Sequence, residues 1–211
     1  DFAGFDAQLI IMDVVPWMLP YYEASGIQFE IEDNRDYMDY TFTPEQFLAG
    51  MDMQDDRYRY NYFKRRFAYE TEEITPFHRE EIREFMEREW CGEKTCEECH
   101  CGCLLRVIDN LVPVFDKIRI NGILVRVEGK MAGLCIVSCR NGLGVYQYKN
   151  AVNRIKGINE YLLRESFERY LQSADTINYT EDMGVENLRY YKEHMAPAHT
   201  LLSKLTLTER G

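Results

Sequence analysis

Three stretches of the 211-residue chain carry residue types at spacings that do chemistry. The densest holds Cys91, Cys96, Cys99, His100, Cys101 and Cys103, five of the seven cysteines and one histidine within 13 residues. A C-x-x-C step lets two thiolates reach one tetrahedral ion. Cys96, Cys99, Cys101 and Cys103 are therefore the candidate ligands of a structural zinc, with Cys91 and His100 as alternates. The pattern differs from a finger or ribbon, which needs a second, distant pair. The competing reading runs the following helix (Leu104, Ile108, Leu111, Phe115) backwards, so that Cys101 falls on its core face and Cys99 and Cys103 on another. The second stretch is the basic loop from Asn153 to Gly157. Backbone N–H groups at a helix start suit anions, Arg154 and Lys156 add charge, and Gly157 admits close approach, so the loop is a candidate seat for cofactor phosphates. A plain strand-to-helix loop with a glycine is the simpler alternative. The third stretch is the loop Thr180 to Gly184, whose Glu181 and Asp182 can orient Arg189 and Lys192, one turn apart on the next helix, unless the four are a structural ion-pair network that fixes that helix to the strand.

The elements that position these groups follow from hydrophobic period and turn residues. Gly144 to Ala151 reads as a strand, Ile158 to Gln172 as a helix, Asp175 to Tyr179 as a strand and Val185 to Met195 as a helix. Two strand-to-helix junctions thus lie close together, where ligands of α/β folds sit. Upstream, Ile118 to Arg126, Ala132 to Cys139 and the strand from Gly144 form antiparallel hairpins through Glu128-Gly129 and Asn141-Gly142. Cys135 and Cys139 share one face about 13 Å apart, too far to bond, and read as small core residues. Ala68 to Ile74 is a strand, and Thr75-Pro76 opens a long amphipathic helix through Trp90. Arg57 to Arg66 interleaves five positive charges with aromatics. It is either a helix with an aromatic core face and a solvated basic face or an anion cradle. The first 43 residues read as strand, helix (from Pro16 to Gly26) and two strands paired through a turn at Asn34. Thr43-Pro44 then starts a short helix.

Composition limits the function. The net charge of −11 excludes a nucleic-acid surface over the whole molecule. No window approaches a membrane-spanning apolar run and no signal peptide is visible, so a soluble, cytoplasmic protein is expected. The chain begins at Asp1 and reaches core-like sequence within a few residues, which points to a fragment or processed piece. The closing order of strand, helix, strand, strand recurs in the first 43 residues. The expected fold is α+β, a tandem duplication whose first copy is truncated at its N-terminus. Residues 1–50 would be the end of that copy, 51–67 a basic connecting helix and 68–211 a second, complete copy.

The tail meets every fixed position of the pattern N-x-x-x-D-x-G-x-x-x-L-R-x-x-K, through Asn178, Asp182, Gly184, Leu188, Arg189 and Lys192. In this tail, in the segment Asp33 to Tyr40, in the basic helix and in the cysteine cluster, the chain resembles a bacterial family of unknown function similar to the C-terminal domain of phosphatidylglycerol lysyltransferase. The resemblance implies a GNAT-like acyltransferase fold, tandem as in the Fem-type aminoacyltransferases. It implies acyl or aminoacyl transfer from acyl-CoA or aminoacyl-tRNA, with the donor between strands 145–151 and 175–179. Arg154, Lys156, Gly157, Arg189 and Lys192 would bind the donor. Asp182 and Tyr190 or Tyr191 would be the catalytic groups, the tyrosine as general acid. The resemblance departs at Lys149, where the family's fourth strand usually carries Glu, and at Leu163, where the next helix usually carries Asn. A site without that carboxylate lacks the obvious general base, and the alternative is a non-catalytic ligand-binding or scaffold protein that keeps the fold.

Overall fold

The computed structural model describes residues 9–91, 104–195 and 200–210. In chain order the elements are β1 (Ile10–Val14), α1 (Leu19–Glu23), β2 (Phe29–Asp33), β3 (Asp39–Phe42), α2 (Pro44–Met51), α3 (Gln54–Arg66), β4 (Tyr69–Glu73), α4 (Arg79–Met86), α5 (Leu104–Leu111), β5 (Ile120–Val127), β6 (Lys130–Arg140), β7 (Leu143–Ala151), α6 (Ile158–Ser166), β8 (Thr176–Asn178), α7 (Glu186–His194), β9 (Thr200–Leu202) and β10 (Leu205–Glu209). Packing divides them into two units, residues 43–177 and the two chain ends, through residue 42 and from residue 178. This is a partition by packing rather than by repeat. No helix among the described residues is long and apolar enough to cross a membrane.

In the unit of residues 43–177, β4, β5, β6 and β7 form consecutive antiparallel pairs. The hairpin turns at Glu128-Gly129 and Asn141-Gly142 place both central residues at positive φ, the twist that antiparallel neighbours need. Ile123, Leu124, Leu134 and Ile136 are fully buried, as expected of strands covered on both faces. Helix α6 lies on one face, where the Tyr146 hydroxyl donates to the Leu163 carbonyl at 2.8 Å. Helix α4 lies on the other, where the Tyr148 hydroxyl meets Met86 Sδ at 3.0 Å. Between these tyrosines the register against β6 slips by one, leaving Gln147 as the extra residue of a bulge. The slip turns Lys149 back toward α6, where its Nζ donates to Asn159 Oδ1 at 2.9 Å.

Helix α2 begins with the reciprocal Thr43–Gln46 capping box. Helix α3 carries acidic Asp55 and Asp56 in its first turn and Lys64, Arg65 and Arg66 in its last, complementing the helix dipole. Its buried residue is Phe63, stacked near Tyr161 of α6, while Arg57, Arg65 and Arg66 are exposed. The reading of an aromatic core face with a solvated basic face describes this helix. Where α3 meets α6 the chain holds Gly157 at φ +87°, and a Cβ there would fall 2.1 Å from the Arg59 carbonyl oxygen. The glycine is required by contact with the α3 backbone.

In the unit of the chain ends, β1, β10 and β2 form one sheet in that order, and β3 pairs with β9. The expected β2–β3 hairpin is not formed. Asn34 instead donates its N–H to the Lys204 carbonyl and its side chain to Thr206, and a 3-10 turn follows over Arg35–Tyr37. In β2, Ile31 is 53% exposed. The chain closes with two strands, β9 and β10, in different pairings. The long helices expected after Thr75 and Gly157 are interrupted. The first is a 3-10 turn, α4 and a π-helical turn; the second is α6 ending in a π-helical turn over Phe167–Leu171.

Gly157→Ala combines a left-handed φ with a backbone clash. It should lower unfolding free energy by about 3 kcal/mol in urea titration. A loss under about 1 kcal/mol contradicts the packing role assigned to this glycine.

Candidate functional site

The sequence motif of the tail folds around one carboxylate. Asp182 is fully buried, and both of its oxygens are filled. Oδ2 accepts from the Tyr40 hydroxyl at 2.7 Å, Arg189 Nε at 3.0 Å and Arg35 Nη1 at 3.2 Å. Oδ1 accepts from the Gly184 N–H at 2.9 Å and Arg189 Nη2 at 3.0 Å. Arg189 thus grips the carboxylate through two nitrogens, the planar geometry that guanidinium favours. Arg35 also donates to Tyr40 and to Glu193, and Arg189 to Asp36. Burial alone would raise the Asp182 pKa, but the bonds from Arg189, Tyr40 and Gly184 outweigh it and hold the group well below the usual carboxylate range.

The loop that presents Asp182 is bent by left-handed residues, Thr180 at φ +56°, Met183 at φ +54° and Gly184 at φ +71°. A Cβ on Gly184 would meet Asp36 Oδ2 at 3.0 Å, so glycine serves both the turn and the close neighbour. Lys192 fastens the same loop from α7. It is 3% exposed, and its Nζ donates to the carbonyls of Tyr179 at 2.5 Å and Glu181 at 2.7 Å. Asn178 donates to Asp39 and accepts from the Thr180 N–H, and Lys204 pairs with Asp39 at 2.8 Å.

Asp182, Arg189 and Lys192, expected from the sequence, therefore stand together, the first and last buried and Arg189 about one-third exposed. Asp182 has no lone pair left for a substrate proton, and its chemistry here is that of an anchor. Tyr190 projects from the same helix, 69% exposed and stacked on His194. Tyr191 is half-buried. Arg35, Asp36 and Tyr40 complete the network and were not singled out as site residues. They sit in the charged and aromatic segment Asp33 to Tyr40, but only the fold brings them to Asp182.

In the unit of residues 43–177, the loop after β7 sends its two cations to different neighbours. Arg154 is 77% exposed and lies 3.7 Å from Glu89. Lys156 sits over the rings of Tyr58 and Tyr62 at 4.9 and 5.2 Å from their centroids. Helix α6 begins at Gly157 without a side-chain cap. Beneath its first turn, removal of the Lys149 ammonium from water lowers that group's pKa, against the pull of Cys135, Glu160 and Asp56. Opposite it, burial pushes the Cys135 thiol up to about 11, an unreactive core cysteine. Cys139 is partly buried. Cys96, Cys99, Cys101 and Cys103 lie outside the described residues. Among the described residues no group of His, Cys, Asp and Glu is arranged to hold a metal ion.

The family model described as phosphatidylglycerol lysyltransferase, C-terminal, matches residues 1–203. The chain belongs to this family. Among solved structures, a conserved protein of unknown function from Bacteroides thetaiotaomicron VPI-5482 is 24% identical, with a TM-score of 0.78 over 96% of this chain and 70% of that one. L-PGS from Bacillus licheniformis is 15% identical, with a TM-score of 0.63 over 96% of this chain and 68% of its own. A tandem GNAT protein from the clavulanic acid biosynthesis pathway is 10% identical, with a TM-score of 0.53 over 97% of this chain and 64% of that one. These likenesses show the fold, which is α+β and GNAT-like. A search of curated proteins by sequence finds no match.

Asp182→Asn leaves two guanidinium groups, each about one-third exposed, facing a neutral amide. It should cost about 2–3 kcal/mol of stability at neutral pH. The folded-state pKa lies below the ordinary 3.8, so the carboxylate's contribution is complete above that value and is lost as pH falls through the lowered one. Urea unfolding should therefore show a constant gap between variant and wild type from about pH 5 to 7, closing only in stronger acid. A gap that closes near neutrality would contradict this assignment.

Proposed function

We propose that this member of the GNAT-like transferase family transfers an acyl or aminoacyl group from acyl-CoA or aminoacyl-tRNA to an amine or hydroxyl acceptor. The observation that carries the reading is the start of α6. An α6 N-terminus without a side-chain cap follows β7 through a loop that carries Arg154 and Lys156, and the backbone N–H groups of a helix start suit the phosphates that both donors carry. Tyr190, exposed on α7, is the hydroxyl we assign to proton handling. Membership of the family described as phosphatidylglycerol lysyltransferase, C-terminal, supports an aminoacyl donor over a bare acyl donor.

One observation favours a second reading, a ligand-binding protein without turnover. Asp182 and Lys192 of the family motif are spent on internal bonds, and Lys149 on β7 is a base only in its neutral form.

Transfer of radiolabelled aminoacyl groups from aminoacyl-tRNA, and of acetyl groups from acetyl-CoA, to a pool of amine acceptors separates the readings. The proposal expects transfer, with Arg154→Glu/Lys156→Glu raising KM at least about tenfold and changing kcat less, as befits lost donor binding. Thermal stabilisation by a donor without transfer supports the second reading. Neither stabilisation nor transfer with either donor overturns both.

A further inference from the structure

At the tip of the β5–β6 hairpin the sheet ends in a cleft of about 700 Å³. Its floor is apolar, made by the nearly fully buried Val127, Met131 and Val152, with Phe67 at one side. A second register slip shapes it. Val125 lies opposite Gly133 but Arg126 opposite Met131, so Ala132 is an extra residue in β6. The freed carbonyls find partners around the cleft: that of Ala132 accepts from the Val152 N–H at 2.8 Å, and that of Met131 from Arg88 Nη2 at 3.1 Å. The bulge thereby fastens Arg88 beside the floor.

Three cations line this cleft, Arg88, Lys130 and Arg154. Arg88 is engaged, since its Nε also donates to Glu89 at 2.8 Å. Arg154 holds only a long ion pair, 3.7 Å from Glu89, and exposed Lys130 makes no ion pair among the described residues. Glu128, in the hairpin turn, is the remaining carboxylate of the lining. One unpaired and one loosely paired cation over an apolar floor run against the −11 charge of the chain.

We propose that this cleft binds a small phosphomonoester, with its phosphate on Arg154 and Lys130 and its apolar or planar body on Phe67 and the floor. A guanidinium and an ammonium that line one cleft can together answer a dianion, whereas one carboxylate would leave a cation unanswered. Bare phosphate would leave the apolar floor wet, so the body contributes to affinity. The size is that of pockets which enclose a single small ligand. The site shares Arg154 with the donor loop. Its test therefore rests on Lys130, which that loop does not contain, and on direct binding, which needs no turnover.

Isothermal titration of the full chain with hexyl phosphate, adenosine 5′-monophosphate and inorganic phosphate tests the proposal. At least one of the two organic phosphates should bind saturably at one site with a Kd below about 1 mM, and inorganic phosphate at least about tenfold more weakly. Lys130→Glu should weaken that binding at least about tenfold, Lys130→Ala less, and Lys156→Glu by no more than about twofold. Unchanged Tm values for these exposed-site variants confirm that they fold. Failure of both organic phosphates to bind overturns the proposal, and so does binding that Lys130→Glu leaves intact. Inorganic phosphate binding as tightly as the organic esters overturns the role of the apolar floor.

Discussion

A buried carboxylate survives only if its charge is answered, and Asp182 is answered by five hydrogen bonds. Its partners come from the segment before β3, from β3 itself, from its own loop and from α7, and the Tyr40 bond closes a sequence separation of 142 residues. The beginning and the end of the chain are held together at this point. The left-handed residues on either side of Asp182 are tolerated because Lys192 ties down the carbonyls that their turn exposes.

This arrangement changes what the family motif means. In the sequence, Asp182 and Glu181 read as orienting Arg189 and Lys192, either toward a ligand or as an ion-pair network that fixes the helix to the strand. In the structure Asn178 orders the turn, Gly184 fits beside Asp36, and the three charged groups satisfy one another or the backbone. A pattern fixed by buried electrostatics constrains residue identity as tightly as catalysis does, because loss of either partner strands a charge. The donor binding proposed above rests instead on Arg154 and Lys156, in the loop that leads into α6.

Local signals in the sequence were read well. The turns Glu128-Gly129 and Asn141-Gly142, the Thr43 cap and the strand–loop–helix run from Gly144 onward each depend on residues within a few positions of one another. Long-range pairings were not legible. The partner of β2 is β10, some 170 residues away, and Asn34 mimics a hairpin turn while bonding to Lys204 and Thr206. The bulges at Gln147 and Ala132 were equally hidden, since a slip of one residue shows only against the opposing strand. The Gly157 signal was real but its cause was different, a helix backbone lying 2.1 Å from where a Cβ would be. Arg35 and Tyr40 escaped for the same reason as the sheet partners, being joined to Asp182 only by the fold.

The central claim is that Asp182 and Arg189 act as one structural unit, and a double-mutant cycle tests it most directly. Urea unfolding free energies of wild type, Asp182→Asn, Arg189→Met and the double variant yield the coupling between the two side chains. The account predicts a coupling above about 1 kcal/mol, with the double variant less impaired than the sum of the singles. Additive losses, within about 0.5 kcal/mol, would contradict it.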